Sequence, residues 1–366
     1  MAAPLDVCIR GAGVVGRTLA LLLARDRLRV GLVDTPEPPS ADVRAYAMNA
    51  ASRELLMTLR AWPEEPESTP VLRMDVHGDE GGEVHFRAGE MGADALAWIA
   101  GATALHERLG QALRFQPLVE LLHEPRAATL TVVCEGKHSA TREAFGVQYE
   151  VTHYPQHAIA ARLEGEKPHE QVARQWFTEE GDIVALLPLG GAHGNTVALV
   201  WSVREDHAGE LLALPPADFE ARLTAATQHS LGQLRLASER ARWPLQRAQA
   251  SRWCGPGWVL AGDAAHTVHP LAGQGLNLGL ADVRELARVL HAREYWRHVG
   301  DERLLRRYER ARKAQATAMQ MGTDGLQQLF AQDKEPWTWL RNWGMRGFEH
   351  SGPIKRWVAR QAAGRL

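Results

Sequence analysis

The stretch that decides the fold is Gly262–Gly279, with the sequence GDAAHTVHPLAGQGLNLG. It follows the short apolar run Trp258–Ala261, which is bounded by glycines and fits a buried strand. Asp263 would then stand at the carboxyl end of that strand, and from Leu276 onward apolar residues recur with helical spacing. The stretch therefore predicts a strand, a carboxylate, a glycine-containing loop and a helix, in that order.

This order of elements suits the binding of a flavin. A carboxylate at a strand end commonly accepts hydrogen bonds from sugar or ribityl hydroxyls, which predicts that role for Asp263 in the strand end Gly262-Asp263. Glycines leave backbone N–H groups free to approach a flat ring, and the helix N-terminus would direct about half a positive charge at it. The predicted approach point is the loop residues Gly273, Gln274 and Gly275.

A second glycine motif, GAGVVG, lies near the start of the chain at 11–16. An apolar strand precedes it, a helix follows it, and the next strand ends in an acid that can bond an adenosine ribose. An ordinary glycine turn in a βαβ unit is the alternative, and the strand, helix and acid together favour dinucleotide binding. The predicted contacts are Gly11, Ala12, Gly13, Val15, Gly16 and Asp34.

With both motifs present, the chain resembles the FAD-dependent aromatic hydroxylases related to p-hydroxybenzoate hydroxylase, and among them the ubiquinone-biosynthesis hydroxylases. The resemblance spans nearly the whole chain. It rests on the GDAAH stretch and on DVRAYAMNAASRELL at 42–56, GDIVALLPL at 181–189 and TDGLQQLF at 323–330. It implies a monooxygenase in which NAD(P)H reduces FAD and O2 is used to hydroxylate an aromatic ring, such as a ubiquinone-precursor phenol carrying a prenyl chain.

The resemblance also implies an α/β fold and the division of the chain into domains. A Rossmann-like, three-layer FAD-binding domain is expected at 1–70, 100–145 and 250–300, interleaved with a mixed β-sheet substrate domain at 71–99 and 146–249. A C-terminal helical region is expected at 301–366. The substrate domain would contain strands at 156–163, 171–177, 183–187 and 196–203. Trp176, Phe177 and Trp201 on these strands are expected in the core or on the sheet surface rather than in the pocket.

Several site residues follow from the resemblance alone. Arg44 is expected along the FAD pyrophosphate or beside the ring, whereas without the resemblance it would be a surface arginine. Pro270 and Gly273–Asn277, including Leu276 and Asn277, are expected at the pyrimidine edge of the flavin, where Pro270 fixes the backbone. Glu135 and Gly136 occupy the Asp-Gly position of the relatives.

The candidate catalytic residues are His269 and Pro270. One hypothesis for His266 and His269 is that they act as general bases. Hydroxylation of an activated phenol depends mainly on deprotonation of the phenol, exclusion of water and orientation, so we expect both histidines to brace the loop instead.

The chain departs from its relatives in three places. Glu135 is one methylene longer than the usual aspartate, so its carboxylate must bend back or miss its partner. The region at 114–130, after the helix expected at 103–113, is too short for the usual small β-meander, because residues 120–128 are mostly polar and predict a linker. Ala100-Gly101-Ala102 stands where relatives often carry polar residues that face the cofactor. These departures keep an alternative open: a catalytically degenerate flavin-binding partner in a biosynthetic complex.

Composition indicates a soluble enzyme. The chain has 366 residues, of which 45% are apolar, and 42 basic against 44 acidic side chains, so it can bury a large core and shows no bias toward nucleic acid. Cys8, Cys134 and Cys254 are isolated, which suits a reducing cytosol, and no metal-binding spacing is visible. No signal peptide or membrane-spanning run is evident, so a cytoplasmic location is expected.

The C-terminal region combines tryptophans with cations. From Lys334 onward, seven Lys or Arg residues face two acidic residues, and four tryptophans lie among them, at positions 337, 339, 343 and 357. One interpretation is peripheral contact with the inner face of an anionic membrane, where a prenylated substrate resides. The other is that the tryptophans pack on the FAD domain and the cations are solvated, which glycine interruptions at 344, 347 and 352 favour. Whether the chain forms a homodimer is left open.

Overall fold

The structure is a computed structural model that describes residues 4–34, 42–79, 81–178, 180–268 and 275–330, with side chains up to residue 317. Within these ranges the strands are, in chain order, β1 (Leu5–Arg10), β2 (Val30–Val33), β3 (Ala45–Met48), β4 (Ser68–Val71), β5 (Arg73–His77), β6 (Glu83–Arg87), β7 (Ala97–Gly101), β8 (Val119–Leu122), β9 (Ala128–Val133), β10 (Tyr149–Gly165), β11 (Val172–Phe177), β12 (Ile183–Pro188), β13 (Thr196–Arg204), β14 (Leu234–Leu236), β15 (Ala241–Ala250), β16 (Cys254–Gly255), β17 (Trp258–Leu260) and β18 (His266–Thr267).

The helices in the same ranges are α1 (Val14–Arg25), α2 (Ala50–Thr58), α3 (Ala102–Leu113), α4 (Ala140–Ala144), α5 (Glu205–Ala213), α6 (Pro216–Ala226), α7 (Gly275–His291) and α8 (Glu302–Phe330). Short 3₁₀ turns lie at Gly89–Met91 and Gly262–Ala264. In the part of the chain that the structure describes, no helix combines the length and the apolar character needed to cross a membrane.

The first sheet has six strands in the order β16-β17-β9-β1-β2-β8. All neighbours except β16 and β17 run parallel. Apolar runs such as Val7-Cys8-Ile9 in β1 are typical of parallel strands covered on both faces. Apolar side chains of α1, α3 and α7 join those of the strands in one buried cluster. This is the predicted Rossmann-like arrangement, and it includes the first glycine motif and the described residues of the second.

One predicted linker is wrong in part. Residues 120–128 were expected to be irregular, but Val119–Leu122 forms β8 and pairs in parallel with β2. β8 is the edge of the sheet, where one side of the strand is exposed and a polar side chain such as Glu120 stays in solvent. The polar composition that suggested a linker is therefore compatible with an edge strand.

The second sheet is mixed and has nine strands. Its order is β18-β15-β10-β13-β12-β11-β5-β6, and β14 also pairs with β10. The four strands predicted for the middle of the chain are present as β10 to β13. Trp176 and Trp201 are buried in a cluster that includes side chains of α5 and α6, as expected for core residues. Phe177, the next residue after Trp176, is directed to the opposite face of the sheet.

A small antiparallel sheet, β3-β7-β4, lies where the two large sheets meet. Ile99 at its centre is paired with Ala47 and Thr69. Ile99 also packs in a buried cluster with Ala173 and Ala198 of the nine-stranded sheet. Met48 of β3 and Ala100 of β7 belong to the buried cluster of the six-stranded sheet, so this small sheet links the two large sheets.

Candidate functional site

The carboxyl ends of four parallel strands meet at one edge of the six-stranded sheet, because β17, β9, β1 and β2 are neighbours. Ligands of open α/β sheets bind outside this edge. The residues that leave the four strand ends there are Gly11, Asp34, Glu135 and Gly262 with Asp263. The structure thus brings together predicted site residues that are about 250 positions apart in the sequence.

The first glycine motif is shaped by close contacts of the backbone. Gly11 has φ +105°, and a Cβ there would overlap the carbonyl group of Cys134, while a Cβ at Gly16 would overlap the carbonyl oxygen of Gly11. Gly13 is different, because a Cβ there would meet no described atom within 4 Å. The open space lies at the N-terminus of α1, which has no side-chain cap and no acidic residue in its first turn. Such a terminus is suited to a phosphate group.

Val15 packs α1 against the second glycine motif. A Cβ at Gly279 would lie 2.8 Å from Val15 Cγ2, and a Cβ at Gly262 would lie 3.3 Å from Val15 Cγ1. Glycine at both positions lets α1 and α7 approach each other closely. The Val15 side chain therefore acts in helix packing, and its backbone belongs to the first turn of α1.

Asp34 lies at the end of β2, as predicted, and is partly exposed. Its Oδ2 atom is 3.1 Å from Arg17 Nη2. Arg17 Nε in turn donates to the carbonyl oxygen of Ala12 at 2.6 Å. Arg17 therefore ties the acid to the glycine motif, a role that the sequence analysis missed.

Arg44 lies at the start of β3 and is held by Asp42. Arg44 Nη2 is 2.6 Å from Asp42 Oδ2, and Arg44 Nε donates to Asp42 Oδ1 at 2.8 Å. The hydrogen bond with Asp42 raises the pKa of Arg44 above its usual value. The guanidinium that was predicted for the pyrophosphate is therefore paired with a carboxylate of this chain.

Glu135 does not miss its partners. Its carboxylate accepts hydrogen bonds from the Ser139 hydroxyl at 2.8 Å and from Thr141 N at 3.0 Å, and it lies 3.1 Å from Arg10 Nε. Partial burial opposes ionisation, but hydrogen bonds from Thr141 and Ser139 and the charge of Arg10 lower the pKa of Glu135. The extra methylene is thus accommodated, and the carboxylate joins β1 to the start of α4.

Replacing Glu135 by Gln is expected to reduce the free energy of unfolding at neutral pH by about 1.5–3 kcal/mol, the usual range for hydrogen bonds to a charged group. Because the folded-state pKa lies below the unfolded value of about 4.3, this contribution is present above that value and is lost as the pH falls through the folded-state pKa. Urea denaturation of both proteins between pH 7 and pH 3 measures the difference, which should narrow below about pH 4. Equal stability of the two proteins at pH 7 would contradict it, and Glu143→Gln on the exposed side of α4 is the control.

Arg142 connects the Glu135 segment with the Gly262 segment. Its buried guanidinium lies over the Tyr149 ring at 3.6 Å and donates to the carbonyl oxygen of Ala264 at 3.2 Å. Tyr149 Oη donates to the carbonyl oxygen of Asp263 at 2.7 Å, and burial raises the pKa of Tyr149 to about 12. These contacts fix the backbone of the turn that carries Asp263.

Asp282 on α7 is the buried centre of this region. It accepts hydrogen bonds from Gly262 N at 3.0 Å, from His266 Nε2 at 2.7 Å and from Arg312 Nε at 2.7 Å. Burial opposes ionisation of this carboxyl, but the neighbouring His266 and Arg312 lower its pKa. No sequence motif marks Asp282, and the signal for it is an acid among the apolar residues of α7, one position before Val283.

His266 is anchored by contacts inside the protein. It is buried, binds Asp282 and stacks on Trp253 with 4.8 Å between ring centroids. Asn277 Nδ2 donates to the carbonyl oxygen of Ala47 at 2.8 Å, and Asn277 Oδ1 accepts from Asn49 N at 3.0 Å, so its side chain fastens α7 to the start of α2. Gly275 and Leu276 begin α7, whereas the predicted site residues His269, Pro270, Gly273 and Gln274 lie outside the described residues.

A group of possible metal ligands lies away from this edge. Potential ligand atoms of Glu180, Asp182 and His207 are within 4.8 Å of one another. Asp182 is bound by His207 at 3.0 Å and by Trp201 at 3.3 Å, and burial raises its pKa to about 6. Arg222 lies 3.6 Å from Glu180 and 3.3 Å from His207. The positive charge of Arg222 compensates the negative charge of the two carboxylates. We interpret the group as a structural link between β12, β13 and α5.

The residues at the carboxyl ends of the four strands fit a dinucleotide. Space remains at Gly13 for a phosphate, and the uncapped N-terminus of α1 directs backbone N–H groups into it. Carboxylates for hydroxyl groups stand at Asp34 and Asp263. FAD contains phosphates that can accept from these N–H groups and hydroxyl groups that can donate to these carboxylates. The residues present are therefore compatible with FAD.

Known sequences that are similar to this chain also belong to FAD-binding proteins. Residues 124–323 match the family described as FAD binding domain. The chain is 32% identical to the ubiquinone hydroxylase UbiL of Rhodospirillum rubrum, with 99% of this chain and 90% of the relative covered. It is 32% identical to 3-demethoxyubiquinol 3-hydroxylase of Escherichia coli, with 99% of both chains covered. It is 30% identical to the mitochondrial ubiquinone biosynthesis monooxygenase COQ6 of Drosophila melanogaster, with 98% and 90% covered.

Solved structures show the fold. Pseudomonas aeruginosa PqsL in complex with 2-aminobenzoylacetate has a TM-score of 0.78 at 20% identity, with 90% of this chain and 98% of that chain covered. Pseudomonas putida p-nitrophenol 4-monooxygenase PnpA has a TM-score of 0.76 at 18% identity, with 99% and 97% covered. The fold is that of FAD-dependent monooxygenases. The chain belongs to the FAD-dependent hydroxylases that include the ubiquinone-biosynthesis enzymes, as its sequence predicted.

Proposed function

We propose that this FAD-dependent monooxygenase hydroxylates the ring of a ubiquinone-precursor phenol, with NAD(P)H as the reductant. The observation that carries the proposal is the path of the chain after Asp263. The turn at Gly262–Ala264 leads directly into β18, which pairs with β15 of the nine-stranded sheet. One short segment therefore borders both the dinucleotide cradle and the second sheet, where an aromatic substrate can meet the flavin ring.

The proposed division of the chain has support in its packing. The six-stranded sheet takes its strands from 5–33, 119–133 and 254–260, and its buried cluster is separate from that of the nine-stranded sheet. These ranges fall inside the FAD-binding domain that we assign to 1–70, 100–145 and 250–300. The strands of the nine-stranded sheet before β18 fall inside the substrate domain at 71–99 and 146–249, except for Ala250, the last residue of β15.

When bound, FAD supplies hydride acceptance from NAD(P)H and the activation of O2. In the proposal the protein binds and orients it: the glycine motif and the N-terminus of α1 hold the pyrophosphate, Asp34 an adenosine ribose hydroxyl, and Asp263 a ribityl hydroxyl. Arg142, Tyr149 and Asp282 fix the backbone that carries Asp263. The pyrimidine edge would be held by Pro270, Gly273, Gln274, Gly275, Leu276 and Asn277, with His269 bracing the same loop.

The surface that faces the cleft favours a flat, apolar substrate. Ile159 and Ala161 of β10 point into the cluster with α5 and α6, so the alternate residue Ala160 points to the opposite face. Ala160 is paired with Val200, and Val200 with Ala185, so small apolar side chains form a row across three strands. Such a row leaves space for a ring and the start of a prenyl chain. The names of the relatives, which are ubiquinone hydroxylases, support this substrate class.

One experiment tests both the proposed reductant and the proposed substrate. It follows the loss of the flavin absorbance under anaerobic conditions. We expect the purified protein to be yellow, to bleach on addition of NADPH or NADH, and to bleach faster when a prenylated phenol is present. A yellow protein that stays oxidised would instead support the alternative, a flavin-binding partner without a reductant site. The contacts of Glu135 remove one reason for that alternative, because its carboxylate is fully engaged.

Contact with a membrane and dimerisation stay predictions. The tryptophans and cations of the C-terminal region from Lys334 onward lie outside the described residues. Binding to vesicles of anionic phospholipid, measured by sedimentation of the full chain, distinguishes a membrane-facing C-terminal region from one that packs on the FAD domain.

A further inference from the structure

Arg162 belongs to the nine-stranded sheet, but its side chain reaches across the cleft to the FAD side. Its Nη2 atom donates to the carbonyl oxygen of Arg44 at 2.7 Å. Gly101 permits this approach, since even a Cβ at that position would lie 3.3 Å from Nη2. Nη1 of Arg162 is buried and has no hydrogen-bond partner among the described residues. A buried cationic donor without an acceptor is unfavourable, which points to an acceptor supplied by a ligand.

Two neighbouring arginines already have carboxylate partners. Arg44 is paired with Asp42 and Arg17 with Asp34. Arg162 forms no ion pair within the described ranges of the chain, and burial lowers its pKa although the charge of Asp42 opposes this. Its charge is therefore available to an anion that enters the cleft.

A helix begins beside this guanidinium and adds to the positive potential. α3 starts at Ala102, directly after Gly101, with no side-chain cap and no acidic residue in its first turn. Ala102 N donates to the same Arg44 carbonyl oxygen that accepts from Arg162. α3 packs alongside α1, whose N-terminus is also uncapped. The N-terminus of α3 and a guanidinium that has no ion-pair partner among the described residues are together suited to an anion with several oxygens.

We propose that Nη1 of Arg162 donates to the pyrophosphate of FAD, so that a residue of the substrate sheet helps to retain the cofactor. The inference rests on the proposed FAD site. A diphosphate offers several anionic acceptors, and the planar guanidinium fork can bind one of them while Nη2 keeps its bond to Arg44. FAD binding would then also hold the nine-stranded sheet against the FAD side of the cleft.

The test compares Arg162→Met with the unaltered protein after removal of the flavin. Titrations with FAD and with riboflavin, followed by quenching of flavin fluorescence, measure the two affinities. We expect FAD affinity to fall about 10- to 100-fold, the usual range for loss of a charged hydrogen bond. Riboflavin lacks the phosphates, so its affinity should stay unchanged. Arg162→Lys keeps the charge but loses the fork and should give an intermediate value.

Arg174→Met is the matched control. Arg174 lies in the same sheet, is also partly buried, and donates to the carbonyl oxygen of His169 rather than into the cleft. Its FAD affinity should equal that of the unaltered protein. Unchanged FAD affinity in Arg162→Met overturns the inference, and so does an equal loss for FAD and riboflavin with a lower melting temperature, which indicates a purely structural tie. If the unaltered protein does not bind FAD, the proposed function itself fails.

Discussion

Replacing Asp282 by Ala is expected to lower the free energy of unfolding by about 3–5 kcal/mol, because it leaves buried charge without its partner. Arg312 and the N–H of Gly262 would both lose their acceptor, and His266 would lose the bond that orients its ring. Urea denaturation of the flavin-free protein measures the loss. The turn that carries Asp263 should loosen as well, so the variant should also be purified without yellow colour.

Two further variants keep this prediction testable if Asp282→Ala does not fold. Asp282→Asn keeps the volume and one acceptor, so its loss should be smaller but still above that of a surface change. Arg288→Gln removes an exposed ion pair with Glu285 on the same helix and should change the free energy of unfolding by less than about 1 kcal/mol. A loss of that small size in Asp282→Asn and Asp282→Ala alike would show that the buried network is not important.

Replacing Gly13 by Asp is expected to abolish FAD binding without harming the protein. An aspartate at the N-cap of α1 accepts a backbone N–H and stabilises the helix by about 0.5–1 kcal/mol. No described atom lies within 4 Å of a Cβ there, so the side chain fits the flavin-free structure. The same carboxylate would repel the pyrophosphate and occupy its donors, and we expect FAD affinity to fall at least about 100-fold, which is about 2.7 kcal/mol.

Fluorescence titration with FAD and thermal melting of the flavin-free protein measure the two effects separately. Arg204→Asp places a similar charge at the N-cap of α5, on the other sheet, and should leave FAD affinity unchanged. FAD binding of normal strength by Gly13→Asp would show that the pyrophosphate does not lie at the start of α1. The opposite signs expected for stability and affinity distinguish a ligand site from general damage to the fold.

Local patterns explain what could be predicted from the sequence. The strand before Gly11, the strand before Asp263 and the helix after Gly275 each have an apolar pattern and a glycine boundary within about ten residues. Trp176 and Trp201 were expected in the core or on the sheet surface, and they lie in the core. The polar segment after α3 was misjudged, because an edge strand tolerates the polar residues that a linker also contains.

Contacts between distant residues explain what was missed. Tyr149 binds the backbone of Asp263, 114 positions away, and Arg162 binds the backbone of Arg44, 118 positions away. Neither side chain stands in a local motif that indicates its partner. Glu135 shows the same limit, since its extra methylene suggested a missed contact until the fold placed Arg10, Ser139 and Thr141 around it.

The sequence by itself determined the family, the two glycine motifs and the strands and helices that carry them, because these depend on backbone sterics and on apolar periodicity along a short stretch of chain. The tertiary structure alone decided which charges are neutralised inside the protein and which remain available to a ligand. Asp42 engages Arg44 and Asp282 engages Arg312, whereas Nη1 of Arg162 has no acceptor among the residues that the structure describes. Pairing of this kind depends on distances across the fold, which side-chain identity along the chain does not specify.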